Sequence, residues 1–291
     1  MVGEQQSPAL YQGFYINLRE SAERDRSMQT HLQALGLTSR YERFEAIRGQ
    51  DLPAGQSSPL NAGSIGCGLS HQRLLDSRRD AGVHLHVLED DAEILPALPT
   101  WFPALAEHHS WDLIYSDVYF SMLSPQAFQQ FSRLIKAYHQ QGSVSLVNLR
   151  GVPFVGATSY FVNRQSIGRV ADLLGTDWIS RCKHDEHINN LVQTGQLRAF
   201  VTVPFLSTRS ALFSRSTIDP EYTSLMRAMD LQRAGFFANA DLQTLATEAS
   251  QLRIGTSSNP LLTLYVETTR FILEHIDQGI HQKPGSVGPK K

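Results

Sequence analysis

The chain has 291 residues, enough for one large α/β domain or for such a domain with a helical appendix. Its 26 basic and 28 acidic residues leave a formal net charge of −2, which excludes the broad basic surface that a nucleic-acid binder needs to hold phosphates. Ordinary hydrophobic, glycine and proline contents exclude a disordered or collagen-like chain.

The apolar run Phe14–Leu18 predicts a buried first strand. Ser21 then stands as an N-cap, with Glu23 and Asp25 in a first turn that favours carboxylates. Met28, Leu32 and Leu35 follow at helical spacing, and Gly36 closes the helix. Tyr41–Ile47 predicts a second strand, and Gln50–Ser64, rich in Pro, Gly, Ser and Asn, predicts a loop. A helix is expected over Leu69–Arg79 and a strand over Val83–Leu88, with Val83, Leu85 and Val87 on one face and His84, His86 and Leu88 on the other. This β-α-β-α-β order predicts a mostly parallel sheet covered by helices.

Trp111–Asp117 is the next strand, followed by a helix over Pro125–Gln141 with Phe128, Phe131, Leu134, Ile135 and Tyr138 on one side. Ser143–Leu149 and Val152–Val162 read as a pair of strands. Asn163 caps a helix striped by Ile167, Val170, Ala171 and Leu174. A helix over Asp185–Thr194 ends at Gly195, and Leu197–Phe205 is the final predicted strand. After about Ser216 the pattern is helical only, with Asp219-Pro220-Glu221 and Asn259-Pro260 as helix starts. The predicted organisation is a domain over 1–215, a helical extension over 216–281 and a disordered tail over 282–291.

Cys67 and Cys182 have no CxxC partner, which argues against a zinc ribbon or a dithiol redox motif and predicts a reduced setting. Met1–Pro8 lacks the apolar core of a signal peptide. The most apolar later stretch, Leu261–Ile276, is broken by Glu267, Arg270 and Glu274. These features predict a soluble, cytoplasmic protein that is still able to work at a membrane surface.

Glu89-Asp90-Asp91 follows the third strand, and in such sheets ligands bind beyond the carboxyl ends of strands. In extended geometry Glu89 and Asp91 point the same way and can hold a hard cation, Mn²⁺ or Mg²⁺. Such an ion bridges a diphosphate and neutralises the charge that grows on it as a leaving group. The alternative is a solvated turn in which Asp90 or Asp91 caps the next segment. His84 and His86 lack a third ligand at metal spacing and read as packed histidines. Cys67 reads as a small packing residue.

Four segments in order carry a family likeness: Ile16-Asn17-Leu18 with Arg24; Phe44-Glu45-Ala46-Ile47-Arg48-Gly49; Gly63-Ser64-Ile65-Gly66-Cys67-Gly68-Leu69-Ser70-His71; and Leu88-Glu89-Asp90-Asp91-Ala92. A looser match runs from Ala157 to Leu174. Through them the chain resembles glycosyltransferase family 25, which includes lipopolysaccharide-core and collagen galactosyltransferases. The resemblance spans roughly the first two-thirds of the chain.

The resemblance implies a GT-A-like fold: a Rossmann-type α/β sandwich with a mostly parallel sheet and here a helical C-terminal extension. It implies donor contacts from Asn17 and Arg24, the latter by a guanidinium fork suited to phosphate. A surface ion pair of Arg24 with Glu20 or a neighbouring carboxylate is the alternative. Ser70 and His71 are expected to open a helix whose N–H groups face a phosphate; simple capping with a core histidine is the alternative. Asp90 belongs to the same donor side, and Asp117, at another strand end, is a minor donor or acceptor candidate.

In His184-Asp185-Glu186-His187, Asp185 is the expected base for the acceptor hydroxyl and Glu186 its understudy. The alternative is that either carboxylate caps its helix. His187 is the candidate third metal ligand beside Glu89 and Asp91. The implied reaction is transfer of a hexose, galactose foremost, from a UDP-sugar to a glycan or lipid-linked oligosaccharide, with inversion, in cell-envelope synthesis at the cytoplasmic side of the inner membrane. A non-catalytic nucleotide-sugar-binding module and a metal-dependent nucleotidyltransferase are the rival readings, and no nucleic-acid partner is expected.

Overall fold

A computed structural model describes residues 10–51, 60–107, 110–121, 123–175, 181–210, 224–252 and 260–281. Asp219-Pro220-Glu221, the 215/216 boundary and the 282–291 tail lie outside the described residues. The first half runs β1 (Tyr11–Asn17), α1 (Ala22–Ala34), β2 (Tyr41–Glu45), α2 (Ala62–Ser77), β3 (His84–Glu89), β4 (Ala92–Ile94), α3 (Leu98–Glu107), β5 (Leu113–Tyr115), β6 (Tyr119–Phe120) and α4 (Pro125–Gln141). The second half runs β7 (Ser145–Asn148), β8 (Phe154–Val155), β9 (Ser159–Val162), α5 (Ile167–Leu173), α6 (His184–Gln193), β10 (Ala199–Val203), β11 (Ser207–Arg209), α7 (Ser224–Gly235), α8 (Leu242–Ser250) and α9 (Pro260–His281).

Seven strands form one sheet in the order β2-β1-β3-β9-β5-β10-β7. Five run one way, while β9, between β3 and β5, and β7, at the edge, run the other. Alternation along the strands sorts side chains into two cores. Phe14, Ile16, Leu85 and Val87 join one cluster with Leu74 and Leu75 of α2, Phe131 of α4 and Val170 of α5. Tyr11, Tyr15 and Leu88 join the other with Met28 and Leu32 of α1 and Phe102 of α3. Helices therefore cover both faces of a mostly parallel sheet, the GT-A-like Rossmann-type arrangement expected.

The C-terminal helices share the first core: Leu231 of α7 and Ile272 and Leu273 of α9 are buried in it. Backbone hydrogen bonds from Phe205 N–H to the Phe236 carbonyl (2.8 Å) and from Ala238 N–H to the Phe205 carbonyl (3.0 Å) join the end of α7 to the chain after β10.

Four expectations are corrected. The segment Val152–Val162 breaks at Gly156, whose φ of +98° ends β8 before β9 begins. The segment Ser143–Leu149 does not pair with it: β7 pairs with β10, and β9 is buried between two other strands. The strand predicted over Leu197–Phe205 is not the last, because β11 follows and pairs with β4. α2 begins at Ala62, seven positions before Leu69. Gly66 is explained by close approach, since a Cβ there would lie 2.5 Å from the Ile47 carbonyl oxygen.

His86 shows the cost of a polar group in this core. Its Nδ1 is 2.6 Å from the Tyr41 hydroxyl, its Nε2 is 2.9 Å from Ser159 Oγ, and its ring stacks on Phe161 at 3.8 Å. Burial holds its pKa down to about 3, from an ordinary 6.5. In that window the unfolded chain takes up a proton that the folded chain refuses, so stability falls with falling pH at about 1.4 kcal/mol per pH unit. Urea denaturation from about pH 7 to about pH 4.5 should show an acid loss shallower by about that slope in His86→Phe than in the parent chain. Parallel curves would exclude this role.

Candidate active site

β3 ends at Glu89, whose N–H donates to the Thr158 carbonyl at 2.9 Å. Asp90 and Asp91 form a turn into β4, so extended geometry does not persist through the triplet. All three carboxylates nonetheless line one cavity of about 430 Å³ at the carboxyl ends of β1 and β3.

Arginines organise the turn. Arg24 Nη1 donates to Asp90 Oδ1 at 2.7 Å and lies 3.4 Å from Asp91 Oδ2. Asn17 Nδ2 donates to Asp90 Oδ2 at 2.8 Å, and Arg43 Nε in turn donates to Asn17 Oδ1 at 2.9 Å. Desolvation raises the Asp90 pKa, opposed by the Arg24 charge. Asp91 Oδ2 accepts from Arg209 Nε at 3.1 Å, and Arg209 Nη1 also donates to the Tyr119 hydroxyl at 3.3 Å. Asn17 is fully buried behind the cavity wall, where it tethers Asp90. Arg24 lines the cavity, while Glu20 pairs with Arg48 at 3.2 Å.

Ser70 and His71 sit inside α2, not at its start. The N-cap is Asn61, whose side chain accepts the Ser64 N–H at 2.8 Å. Ser70 Oγ donates to the Gly66 carbonyl at 2.6 Å and accepts the Ile47 N–H at 2.8 Å, so its hydroxyl ties α2 to the loop after β2. His71 Nδ1 is 2.8 Å from the Tyr160 hydroxyl, its ring stacks on His184 at 4.3 Å, and its Nε2 is 3.7 Å from Glu89 Oε1. The helix end that does meet the cavity carries Gly63 and Ser64, and the buried Ser64 Oγ has no hydrogen-bond partner among the described residues. The signal for it was Asn61, a strong capping residue type.

In α6, Asp185 faces the cavity, and its Oδ2 accepts the Gly156 N–H at 2.9 Å. Glu186 is exposed, and its Oε2 accepts the Lys183 N–H at 3.2 Å, a capping contact outside the cavity wall. His187 also lies outside that wall, with Nε2 3.0 Å from the Leu173 carbonyl oxygen. Both placements follow from the helical repeat, which turns neighbours of Asp185 away from it. Asp117 is buried below the cavity. It accepts from Ser207 Oγ at 2.9 Å and pairs with Arg233 at 2.9 Å; desolvation raises its pKa and Arg233 opposes that.

The sequence model of glycosyltransferase family 25 (LPS biosynthesis protein) matches residues 11–186, more than half of the chain. The chain belongs to glycosyltransferase family 25. No match is found among curated proteins. The matched span contains the triplet, all of α2 and Asp185, so this glycosyltransferase carries the family's sequence around its whole cavity floor. Arg209, Met226, Met229 and Asp230, which complete the cavity, lie beyond it. Sequence reasoning missed them because they follow the last predicted strand. Among the described residues no helix is long and apolar enough to cross a membrane.

The Asp117–Arg233 pair joins β5's end to α7 with both side chains buried. Removing one partner of such a pair strands the other's charge. Arg233→Ala should therefore lower unfolding free energy by about 3–5 kcal/mol, and Arg233→Met combined with Asp117→Asn by less. Urea denaturation of the two variants checks this ranking; equal losses would refute it.

Proposed function

We propose that this family 25 enzyme transfers a hexose, galactose foremost, from a UDP-sugar to a glycan or lipid-linked oligosaccharide hydroxyl, using Mn²⁺ or Mg²⁺. The observation that carries the reading is one cavity lined by Glu89, Asp90, Asp91 and Asp185 together with Arg24 and Arg209.

The charge balance of the cavity favours a metal partner. Five acidic side chains (Glu89, Asp90, Asp91, Asp185, Asp230) face four basic ones (Arg24, Arg48, Lys183, Arg209), a formal −1. A diphosphate gains little in such a field without an added cation. The ligand chemistry also fits a hard ion: Asp91 Oδ1 is buried with no hydrogen-bond partner among the described residues, and Glu89 is about one-third exposed towards the cavity. Glu89 and Asp91 would hold the ion, which when bound neutralises charge on the departing diphosphate.

Asp185 is the base of this mechanism. Its carboxylate is held by the Gly156 N–H and takes the acceptor hydroxyl's proton. The acceptor oxygen forms its bond to the sugar's anomeric carbon as the bond to phosphate breaks. The electron pair leaves with UDP, and the configuration inverts. Arg24 and Arg209 hold the acidic turn in place. The wall formed by Tyr119, Met226 and Met229 is the side offered to the acceptor. The envelope-glycan role, at the cytoplasmic face of the inner membrane, belongs to the same proposal.

Incubation of the chain with UDP-galactose, Mn²⁺ and a glycan acceptor should release UDP, and Glu89→Gln and Asp91→Asn should abolish that release. Asp185→Asn should lower kcat by about 10²–10⁴ while donor affinity persists. Pyrophosphate release from a nucleoside triphosphate without UDP release would favour a nucleotidyltransferase. Donor binding without turnover in the parent chain would leave a binding module.

A further inference from the structure

Cys67 and His71 stand one helical turn apart on α2, so both side chains project from the same face. That face meets the end of β3. Cys67 Sγ, a ring nitrogen of His71 and a Glu89 carboxylate oxygen lie within 4.8 Å of one another. His71 is only 1% exposed, and its Nε2, aimed at Glu89, has no hydrogen-bond partner among the described residues. A buried ring nitrogen left without a partner forfeits the hydrogen bond it had in water, which is costly unless something else is bound there.

We infer that Cys67, His71 and Glu89 form a site for a borderline divalent ion such as Zn²⁺ or Co²⁺, separate in its chemistry from the hard-ion pair of Glu89 and Asp91. Nitrogen, sulfur and oxygen donors together suit zinc and cobalt, whereas magnesium and manganese prefer oxygen alone. Around a tetrahedral ion with bonds of about 2.0–2.3 Å, ligand atoms stand roughly 3.3–3.8 Å apart. The three groups here are therefore at most about 1.5 Å too open, within the reach of cysteine and glutamate rotamers.

The surroundings prepare the imidazole for this task. The Tyr160 hydroxyl at Nδ1 fixes the ring orientation and leaves Nε2 to face the ion. The His184 stack holds the ring plane. Cys67 and Glu89 both line the cavity, so the fourth position opens towards it for water or a ligand oxygen. Cys67 binds as the thiolate, and its proton passes to solvent. Metal binding by these three side chains is independent of the sugar, the acceptor and the base proposed above.

The test is Co²⁺ titration of the full metal-free chain followed by absorption spectroscopy. One equivalent should produce a near-ultraviolet sulfur-to-cobalt charge-transfer band. The band should persist in Cys182→Ser and vanish in Cys67→Ser, and Glu89→Gln should weaken Co²⁺ binding by at least about tenfold. The chain has two cysteines, so the parent and Cys182→Ser spectra assign the thiol even if Cys67→Ser does not fold. Absence of the band in the parent chain, its loss in Cys182→Ser or its survival in Cys67→Ser would overturn the site. Neither outcome touches UDP release with Mn²⁺, which tests the transferase reading alone.

Discussion

The pairing of arginines with carboxylates at the carboxyl edge of the sheet is the constraint around which this molecule is arranged. Glu89, Asp90, Asp91 and Asp117 approach one another closely enough for their charges to act on each other. Such a group repels itself unless cations are set among its members. Arg24, Arg209 and Arg233 do this, with contacts of 2.7 Å to Asp90, 3.1 Å to Asp91 and 2.9 Å to Asp117. The three cations come from α1, β11 and α7, so helix, strand and C-terminal segment must all be in place before the acidic turn is stable.

That requirement explains why the C-terminal helices are built into the fold. Arg233 reaches back from α7 to the end of β5, and its guanidinium lies 4.6 Å from the centre of the Tyr119 ring. Tyr119 in turn hydrogen-bonds Asp230 and accepts from Arg209. The family match stops at residue 186, yet residues after it complete the cavity's lining. The matched part supplies the acidic triplet, Asp185 and Arg24, and the remainder supplies Arg209, Asp230 and the methionine wall.

How much of this was legible follows from how local each signal is. Strands β1 and β3 and helix α4 follow short-range periodicity, and the sequence places them within a few residues of where they lie. The acidic triplet and Asp185 were legible as carboxylates at element ends, and they do share the cavity. The start of α2 was not, because Gly63, Gly66 and Gly68 read as a loop when seen alone. Only the backbone of Ile47 and Gly49, pressed against Gly66, shows why a helix needs glycine there. The strand partners of β7 and β9 and the roles of Arg209 and Arg233 depend on contacts far apart in sequence, which no local pattern encodes.

The three adjacent carboxylates are not equivalent, and their hydrogen bonds say how they differ. Asp90 has one oxygen held by Arg24 and the other by Asn17, so both are committed to the protein. Asp91 has Oδ2 held by Arg209 while Oδ1 is buried and accepts nothing. Among the described residues, Glu89's one charged neighbour within 4 Å is the His71 ring, at a distance too long for a hydrogen bond. Commitment therefore falls in the order Asp90, Asp91, Glu89, and freedom to bind a cation rises in the same order. A turn built this way uses its middle residue to fix the backbone and leaves the flanking pair less committed. Equal alternation along a strand could not have produced that division of roles, because it would have turned Asp90 to the opposite face, away from Arg24.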